Sequence, residues 1–255
     1  MRTPIVAANW KMHKLVGETR ELAGAVAEAS PDLEDIELIL SPTFVSLPAA
    51  AEQIEGTDVG LSAQNVHWTD EGAYTGEVSP PMLNDIGCSH AIIGHSERRQ
   101  YFGETDVSVN RRARAALDHG LTPIICVGES LGERRSGETE LKIKLQIRAA
   151  LSEVDAEDAK DVIIAYEPLW AIGTGETATP DQAQEAHGAI RSLVEGLYDG
   201  DVAEAVRVLY GGSVKPHNID ELIEQPDLDG ALVGSASLEA ESFLSIAQSV
   251  QDHTA

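Results

Sequence analysis

The sequence has few basic residues and few cysteines, and it lacks any long apolar run. Its 255 residues include 18 Lys and Arg against 43 Asp and Glu, which gives a formal net charge of -25. Binding to nucleic acid or to an anionic membrane requires clustered Lys and Arg, so neither is expected as a partner. No stretch approaches the roughly 20 apolar residues of a membrane-spanning helix, and residues 1–10 lack the long apolar segment of a secretory signal.

The scarcity of cysteine and the histidine spacing argue against a metal site. Cys88 and Cys126 lie far apart in the chain, and each is typical of a small buried thiol. No His or Cys cluster has metal-ligand spacing, and the HExxH motif is missing. We therefore expect no metal and a reducing, cytoplasmic environment.

The acidic excess most simply serves solubility. Lysine is scarce as well, with six residues against twelve arginines. A sharper hypothesis is that the acidic surface suits high ionic strength, because salt screens the repulsion between like charges. We then expect the free energy of unfolding to be larger in molar salt than in dilute buffer. Equal values in a denaturant titration at graded salt would contradict the hypothesis.

Short apolar runs alternate eight times with longer helical patterns. Near-continuous apolar runs are typical of parallel strands that are covered on both faces. The alternation favours a single (β/α)8 barrel, the TIM-barrel fold, over residues 1–255. An open doubly wound sheet stays the alternative, because periodicity cannot show closure. The predicted strands are Ile5–Asn9, Glu37–Leu40, Val59–Ala63, Ala91–Gly94, Pro123–Val127, Val162–Glu167, Val206–Gly211 and Gly230–Gly234.

Polar side chains follow several of these strands where each strand ends. Asn9 and Lys11 follow the first strand, His95 follows the fourth, and Glu167 ends the sixth. Each alone is unremarkable, since a single lysine is usually solvated and a single histidine is usually structural. The carboxyl ends of barrel strands, however, meet at one face, where the active sites of such barrels lie. The pattern predicts an amide, a cation, an imidazole and a carboxylate around one site.

Glycines and serines mark the three loops after strands six, seven and eight. They include Gly173, the pair Gly211-Gly212 and Gly234. Glycine lets backbone N–H groups approach an anion, and barrels often bind phosphate with the loops after strands seven and eight. Turn glycines are the ordinary alternative for any one of them. Together they favour a small phosphorylated substrate.

Other chemistries fit the sequence poorly. Residues 94–98 (GHSER) lack the second glycine of a GxSxG nucleophile elbow. The GxxxxGK[ST] phosphate loop is missing. The stretch Gly173-x-Gly175-x-x-Ala178 approximates a dinucleotide-binding fingerprint. That fingerprint should begin a helix immediately after its strand, but here Pro168 to Ile172 lie between the strand and the first glycine.

Five motifs, in this order along the chain, carry a resemblance to a known family. They are AANWK, IIGHSERR, AYEPLWAIGTG, LYGGSV and DGALVGSASL. The set resembles the triosephosphate isomerases over essentially the whole chain. The resemblance implies interconversion of dihydroxyacetone phosphate and glyceraldehyde 3-phosphate, in glycolysis and gluconeogenesis, with no metal and no cofactor.

The resemblance also implies the roles of individual residues. Glu167 is the base, His95 polarises the carbonyl as a neutral imidazole, Lys11 faces the developing enediolate and Asn9 donates a further hydrogen bond. These acid and base roles are the established ones of the triosephosphate isomerases, a standard illustration of pKa tuning. Four residues are implied to hold the phosphate, chiefly through backbone N–H groups: Gly173, Ser213, Gly234 and Ser235.

A lid over the site and a dimer are implied in the same way. The loop Gly72–Ser79, with Thr75 near its tip, resembles the loop that enters a neighbouring subunit, which implies a homodimer. Two residues depart from the family pattern: Ser235 replaces a usual glycine, and Glu176 stands where many relatives have lysine. The lid comprises Pro168, Leu169, Trp170, Ala171, Ile172, Gly173, Thr174, Gly175, Glu176, Thr177 and Ala178.

Two alternatives to the isomerase stay open from the sequence. One is a different phosphate-binding barrel enzyme, such as a lyase or an aldolase, although an aldolase would want a Schiff-base lysine inside the barrel. The other is a non-catalytic phosphate-sensing dimer on the same barrel, which loss of Lys11, His95 or Glu167 would indicate. All three residues are present.

Overall fold

The computed structural model describes residues 2–172 and 176–253 and contains a closed barrel of eight parallel strands. The strands follow one another around the barrel in chain order, and the first pairs with the eighth. The predicted barrel is confirmed, and the open sheet is not what forms. The strands are β1 (Ile5–Asn9), β2 (Glu37–Ser41), β3 (Gly60–Ala63), β4 (His90–Ile93), β5 (Thr122–Val127), β6 (Ile163–Tyr166), β7 (Arg207–Tyr210) and β8 (Gly230–Val233).

Helices surround the barrel and connect its strands. None of those within the described ranges is long and apolar enough to cross a membrane. Short 3-10 helices occupy Ser30–Asp32, Phe44–Ser46, Leu169–Ala171 and Ser235–Leu238. The α-helices are α1 (Val16–Ala29), α2 (Leu47–Ile54), α3 (Pro80–Ile86), α4 (Ser96–Tyr101), α5 (Asp106–Asp118), α6 (Leu131–Arg135), α7 (Thr139–Ala150), α8 (Ala156–Ala159), α9 (Pro180–Leu197), α10 (Gly200–Ala205), α11 (Ile219–Ile223) and α12 (Ala240–Asp252).

Alternating side chains of the strands divide the core into two layers. One set forms a compact cluster that includes Ile39, Ile92, Ile124 and Cys126. The other set packs with the buried faces of the helices into a larger cluster. Parallel strands buried on both faces explain why each strand reads as a continuous apolar run. Cys126 and Cys88 are both buried free thiols, as the sequence predicted.

His187 is a fully buried histidine that keeps the fold sensitive to acid. It lies on α9 with none of its surface exposed, and burial lowers its pKa from 6.5 to about 3. At a pH between these two pKa values, the histidine is protonated in the unfolded chain but neutral in the folded chain. The stabilising contribution of the neutral ring is therefore complete above pH 6.5 and is lost as the pH falls toward 3, by about 1.4 kcal/mol per pH unit.

The variant His187→Gln tests this acid sensitivity. A glutamine amide can donate to the Asp227 carbonyl oxygen, which lies 3.3 Å from His187 Nδ1, but it does not titrate. Between pH 7 and pH 5 the wild type should lose about 2 kcal/mol more unfolding free energy than the variant. Urea titrations at the two pH values measure this difference, and equal losses would contradict the assignment.

Candidate active site

A cavity of about 250 Å3 opens at the carboxyl ends of the strands. Its lining includes every residue that the sequence predicted as catalytic or substrate-binding, except Gly173, which lies outside the described residues together with Thr174 and Gly175. The seven predicted residues that line the cavity are Asn9, Lys11, His95, Glu167, Ser213, Gly234 and Ser235.

Glu167 follows β6 directly and directs a buried carboxylate into this cavity. Its Oε1 lies 2.9 Å from His95 Nε2, and its Oε2 accepts a hydrogen bond from the Ser96 backbone N–H at 2.8 Å. Burial acts to raise the pKa of Glu167, but His95 and the Ser96 N–H outweigh burial and leave the pKa below its ordinary value. The group is therefore an ionised carboxylate held by two donors.

His95 precedes α4 and serves as the N-cap of that helix. Its Nδ1 accepts a hydrogen bond from the Glu97 backbone N–H at 3.2 Å. An accepting Nδ1 carries no proton, so the proton of the neutral ring lies on Nε2 and points at Glu167.

Two neighbours act on the protonation of His95 in opposite directions. Burial lowers the pKa of His95, but the nearby Glu167 carboxylate outweighs burial and raises the pKa above its ordinary value. The Glu97 N–H opposes a charged ring, because a protonated Nδ1 could not accept its hydrogen bond. Movement of the Glu167 carboxylate away from Nε2 therefore leaves a neutral imidazole that can donate from Nε2.

Lys11 has an unusual backbone that other polar groups hold in place. Its φ is 50°, a left-handed conformation that is uncommon outside glycine. The Lys11 N–H donates to Asn9 Oδ1 at 3.0 Å, and Gln64 Nε2 donates to the Lys11 carbonyl at 2.8 Å. Lys11 Nζ lies 2.6 Å from Glu97 Oε1. These contacts fix a cation at the cavity wall. The contact from Gln64 was not predicted from the sequence.

The flank of the predicted lid that precedes residue 173 rests on a fully buried carboxylate. Glu129 Oε1 accepts hydrogen bonds from Trp170 Nε1 and from the Tyr166 hydroxyl, each at 3.0 Å. Arg134 contacts the same oxygen at 3.3 Å. Glu129 follows β5. The search for polar side chains after the strands, which identified the other candidate residues, could therefore have identified Glu129 as well.

The other described flank of the lid is joined to β7. The Ala178 N–H donates to the Tyr210 hydroxyl at 3.3 Å, whereas Glu176 and Thr177 are exposed. This flank therefore contacts Tyr210 directly, whereas the other flank is linked to Tyr166 through Glu129. Tyr166 and Tyr210 were missed in the sequence because they read as ordinary apolar strand residues.

The loops after β7 and β8 also line the cavity. Asn218 Nδ2 donates to the Ser213 carbonyl at 3.0 Å, which fixes the first of these loops. Ser235 begins a 3-10 helix, and it is not among the described non-glycine residues with positive φ. Serine in place of glycine therefore introduces no backbone strain at this position. Within the described ranges, no three His, Cys, Asp or Glu side chains cluster as a metal site would require.

Comparisons with known proteins agree with this geometry. The triosephosphate isomerase family model matches residues 4–250. The triosephosphate isomerase of Chloroflexus aurantiacus is 56% identical over 246 residues, which cover 96% of this chain and 98% of the relative. Those of Herpetosiphon aurantiacus and Trichlorobacter lovleyi are 53% and 51% identical with the same coverage. The chain belongs to the triosephosphate isomerase family.

Proposed function

We propose that this chain interconverts dihydroxyacetone phosphate and D-glyceraldehyde 3-phosphate. The observation that carries the proposal is the single cavity that an ionised Glu167, a His95 imidazole and the Lys11 cation share with the loops after β7 and β8. A reaction that moves one proton between adjacent carbons needs a base, a donor for the oxygens and a hold on the phosphate, and each has a candidate here.

Glu167 is the base in the proposed reaction. Its carboxylate leaves the Ser96 N–H and the His95 ring, then removes a proton from the carbon beside the substrate carbonyl. The electrons of the broken C–H bond form the C=C bond of an enediolate, and the carbonyl oxygen takes the negative charge. The hydroxyl proton of the neighbouring carbon then passes to this oxygen, so that the neighbouring oxygen becomes the new carbonyl. Return of the first proton to the former carbonyl carbon completes the isomerisation, so no external oxidant or reductant is consumed.

The other polar groups stabilise the enediolate. With the carboxylate withdrawn, His95 Nε2–H donates to the substrate oxygen. Lys11 adds a fixed positive charge, and Asn9 adds a further hydrogen bond. Groups that are already oriented at a developing charge contribute most, because they need no reorganisation during the reaction. The hydrogen bonds on both sides of Lys11 are consistent with such preorganisation.

The phosphate is assigned to Ser213, Gly234, Ser235 and Gly173, chiefly through backbone N–H groups. Residues 168–178 act as a lid that excludes water once substrate is bound. Exclusion matters because an exposed enediolate can expel its phosphate and leave the isomerisation path. Ile172 already lines the cavity, which supports an apolar cover.

The alternatives fare less well on this geometry. An aldolase needs a neutral lysine amine, whereas Lys11, the one described lysine in the cavity lining, contacts the Glu97 carboxylate. A phosphate sensor without catalysis has no use for the Glu167 and His95 pair.

We assign the enzyme to glycolysis and gluconeogenesis in the cytoplasm, with an acidic surface.

A coupled isomerase assay on the purified chain tests the proposal. In deuterium oxide the proton that moves between the two carbons should be exchanged in part for deuterium, because the base holds it between the two steps. A chain that turns over neither triose phosphate would overturn the proposal, whatever its affinity for phosphate.

We further propose that the chain is a homodimer joined through the Gly72–Ser79 loop. Residues 72–77 of that loop are exposed in the single chain, and so are the large apolar side chains of Met12, Met82 and Phe102. In the proposed dimer the partner would cover these side chains. Met12 adjoins Lys11, so the interface would border the cavity.

The expected mass in sedimentation is about twice the 27.2 kDa of one chain. Thr75→Arg should shift it toward the monomer mass, because a buried unpaired charge is costly. Ser152→Arg, at an exposed position outside the loop, should leave the dimer intact. A wild type of monomer mass would contradict the interface.

A further inference from the structure

Three buried rings lie beneath the two described flanks of the lid. Tyr166 ends β6, Tyr210 ends β7, and His187 comes from α9. The His187 ring meets the Tyr166 ring edge to face, with centroids 5.8 Å apart and an interplanar angle of 88°. It lies 6.4 Å from the Tyr210 ring. The exposed fraction of each residue is 1% or less, so no ring can shift without displacing its neighbours.

Each tyrosine reaches one flank of the lid through its hydroxyl. The Tyr166 hydroxyl shares Glu129 Oε1 with Trp170 Nε1, and Trp170 belongs to the flank before residue 173. The Tyr210 hydroxyl accepts the N–H of Ala178, which belongs to the flank after residue 175. The three rings therefore connect the flank before residue 173 with the flank after residue 175 through side-chain contacts.

His187 also contacts the backbone of a segment outside the lid. Its Nδ1 lies 3.3 Å from the Asp227 carbonyl oxygen. Its helix α9 begins at Pro180, two residues beyond Ala178. The ring therefore belongs to the helix that follows the lid, and it packs against Tyr166 of β6, the strand that precedes the lid.

We propose that His187 is a positioning residue that couples the two flanks of the lid, so that they change position together. The inference rests on the proposed isomerase function and extends it to a residue that lies outside the cavity. If the flanks moved independently, one could open while the other stayed closed, and water would reach the enediolate. The coupling therefore protects the intermediate rather than forming it.

The measured quantity is inorganic phosphate released per isomerisation turnover. Phosphate is released when the enediolate electrons form a new C=C bond as the C–O bond to phosphate breaks, so the ratio reports a leaking lid. Tyr166→Phe and Tyr210→Phe each remove one hydroxyl link. We expect each to raise the ratio about tenfold, which matches the loss of one hydrogen bond. The double variant should reach only about 20-fold rather than 100-fold, because one broken link already uncouples the flanks.

The same cycle on a His187→Gln background tests the ring itself. Glutamine keeps a donor for the Asp227 carbonyl but removes the ring contacts. We expect His187→Gln alone to raise the ratio about tenfold, and each tyrosine substitution to add less than about twofold to it, because the flanks are then already uncoupled. His187→Phe keeps a ring and should preserve the coupling. Val250→Ala in α12 serves as a control for core truncation and should leave the ratio unchanged.

Two results would overturn the proposal. One is independent tyrosine effects in the wild-type background, and the other is a full tyrosine effect on the ratio that survives in the His187→Gln background. If wild type shows no isomerase turnover, the proposed function fails on its own. The cycle can then be repeated on the change in Trp170 fluorescence caused by inorganic phosphate, with Trp170→Phe identifying that signal. Independent tyrosine effects on this signal would reject the coupling separately.

Discussion

Glu167→Gln is expected to lower kcat by roughly 10²–10⁴-fold, the usual contribution of general-base catalysis. The amide has nearly the shape of the carboxylate but cannot accept the substrate proton. Affinity for inorganic phosphate should change little, because Glu167 is not among the residues proposed to hold the phosphate. The coupled isomerase assay gives kcat, and competitive inhibition by phosphate gives the affinity.

Matched variants separate the loss of the base from other effects. Glu167→Asp keeps the charge but retracts the carboxylate by one methylene, and a misplacement of this order is expected to cost about 10²-fold in kcat. Glu204→Gln alters an exposed carboxylate that contacts Arg2 and should leave kcat unchanged. If Glu167→Gln stayed within a few-fold of wild type, another residue would have to be the base.

The barrel and the predicted site were accessible from the sequence because both follow from one pattern. Eight apolar runs that alternate with helices imply parallel strands, and parallel strands bring their carboxyl ends to one face. Position alone placed Asn9, His95 and Glu167 at this face, and all three line the cavity. Thr179 is a favoured N-cap residue and Pro180 a favoured first helical residue, and α9 begins there with a capping box between Thr179 and Gln182.

The partners of these residues could not be predicted, because they come from distant parts of the chain. Ser96 donates to a carboxylate 71 positions away, and Gln64 reaches a carbonyl 53 positions away. Nothing in the local sequence specifies such pairs. Strand ends also differ by a residue or so from the prediction. Glu167 lies just beyond β6, although its N–H still donates to the Val127 carbonyl at 2.7 Å.

The backbone around Glu167 has so little room that Gly128→Ala is expected to be one of the most damaging single-methyl changes. A Cβ at residue 128 would fall on the carbonyl carbon and oxygen of Glu167. These are backbone atoms, so no side-chain rotation can relieve the overlap. Both segments are also held in place, since the Gly128 N–H donates to Gln146 Oε1 at 2.9 Å and the Glu167 N–H is bound to β5.

We expect Gly128→Ala to lower the free energy of unfolding by about 3 kcal/mol and kcat by about 10²-fold, because the base moves with its backbone. Thermal unfolding should occur about 10 °C lower than in wild type.

Gly196→Ala in α9 is the matched control for the added methyl group. Its Cβ would have no neighbour within 4 Å, so it should gain up to about 1 kcal/mol from helix propensity and keep full activity. Wild-type stability and kcat in Gly128→Ala would mean that β5 and the Glu167 backbone can separate at little cost. The position of the base would then depend on its side-chain contacts with His95 and Ser96 rather than on the barrel wall.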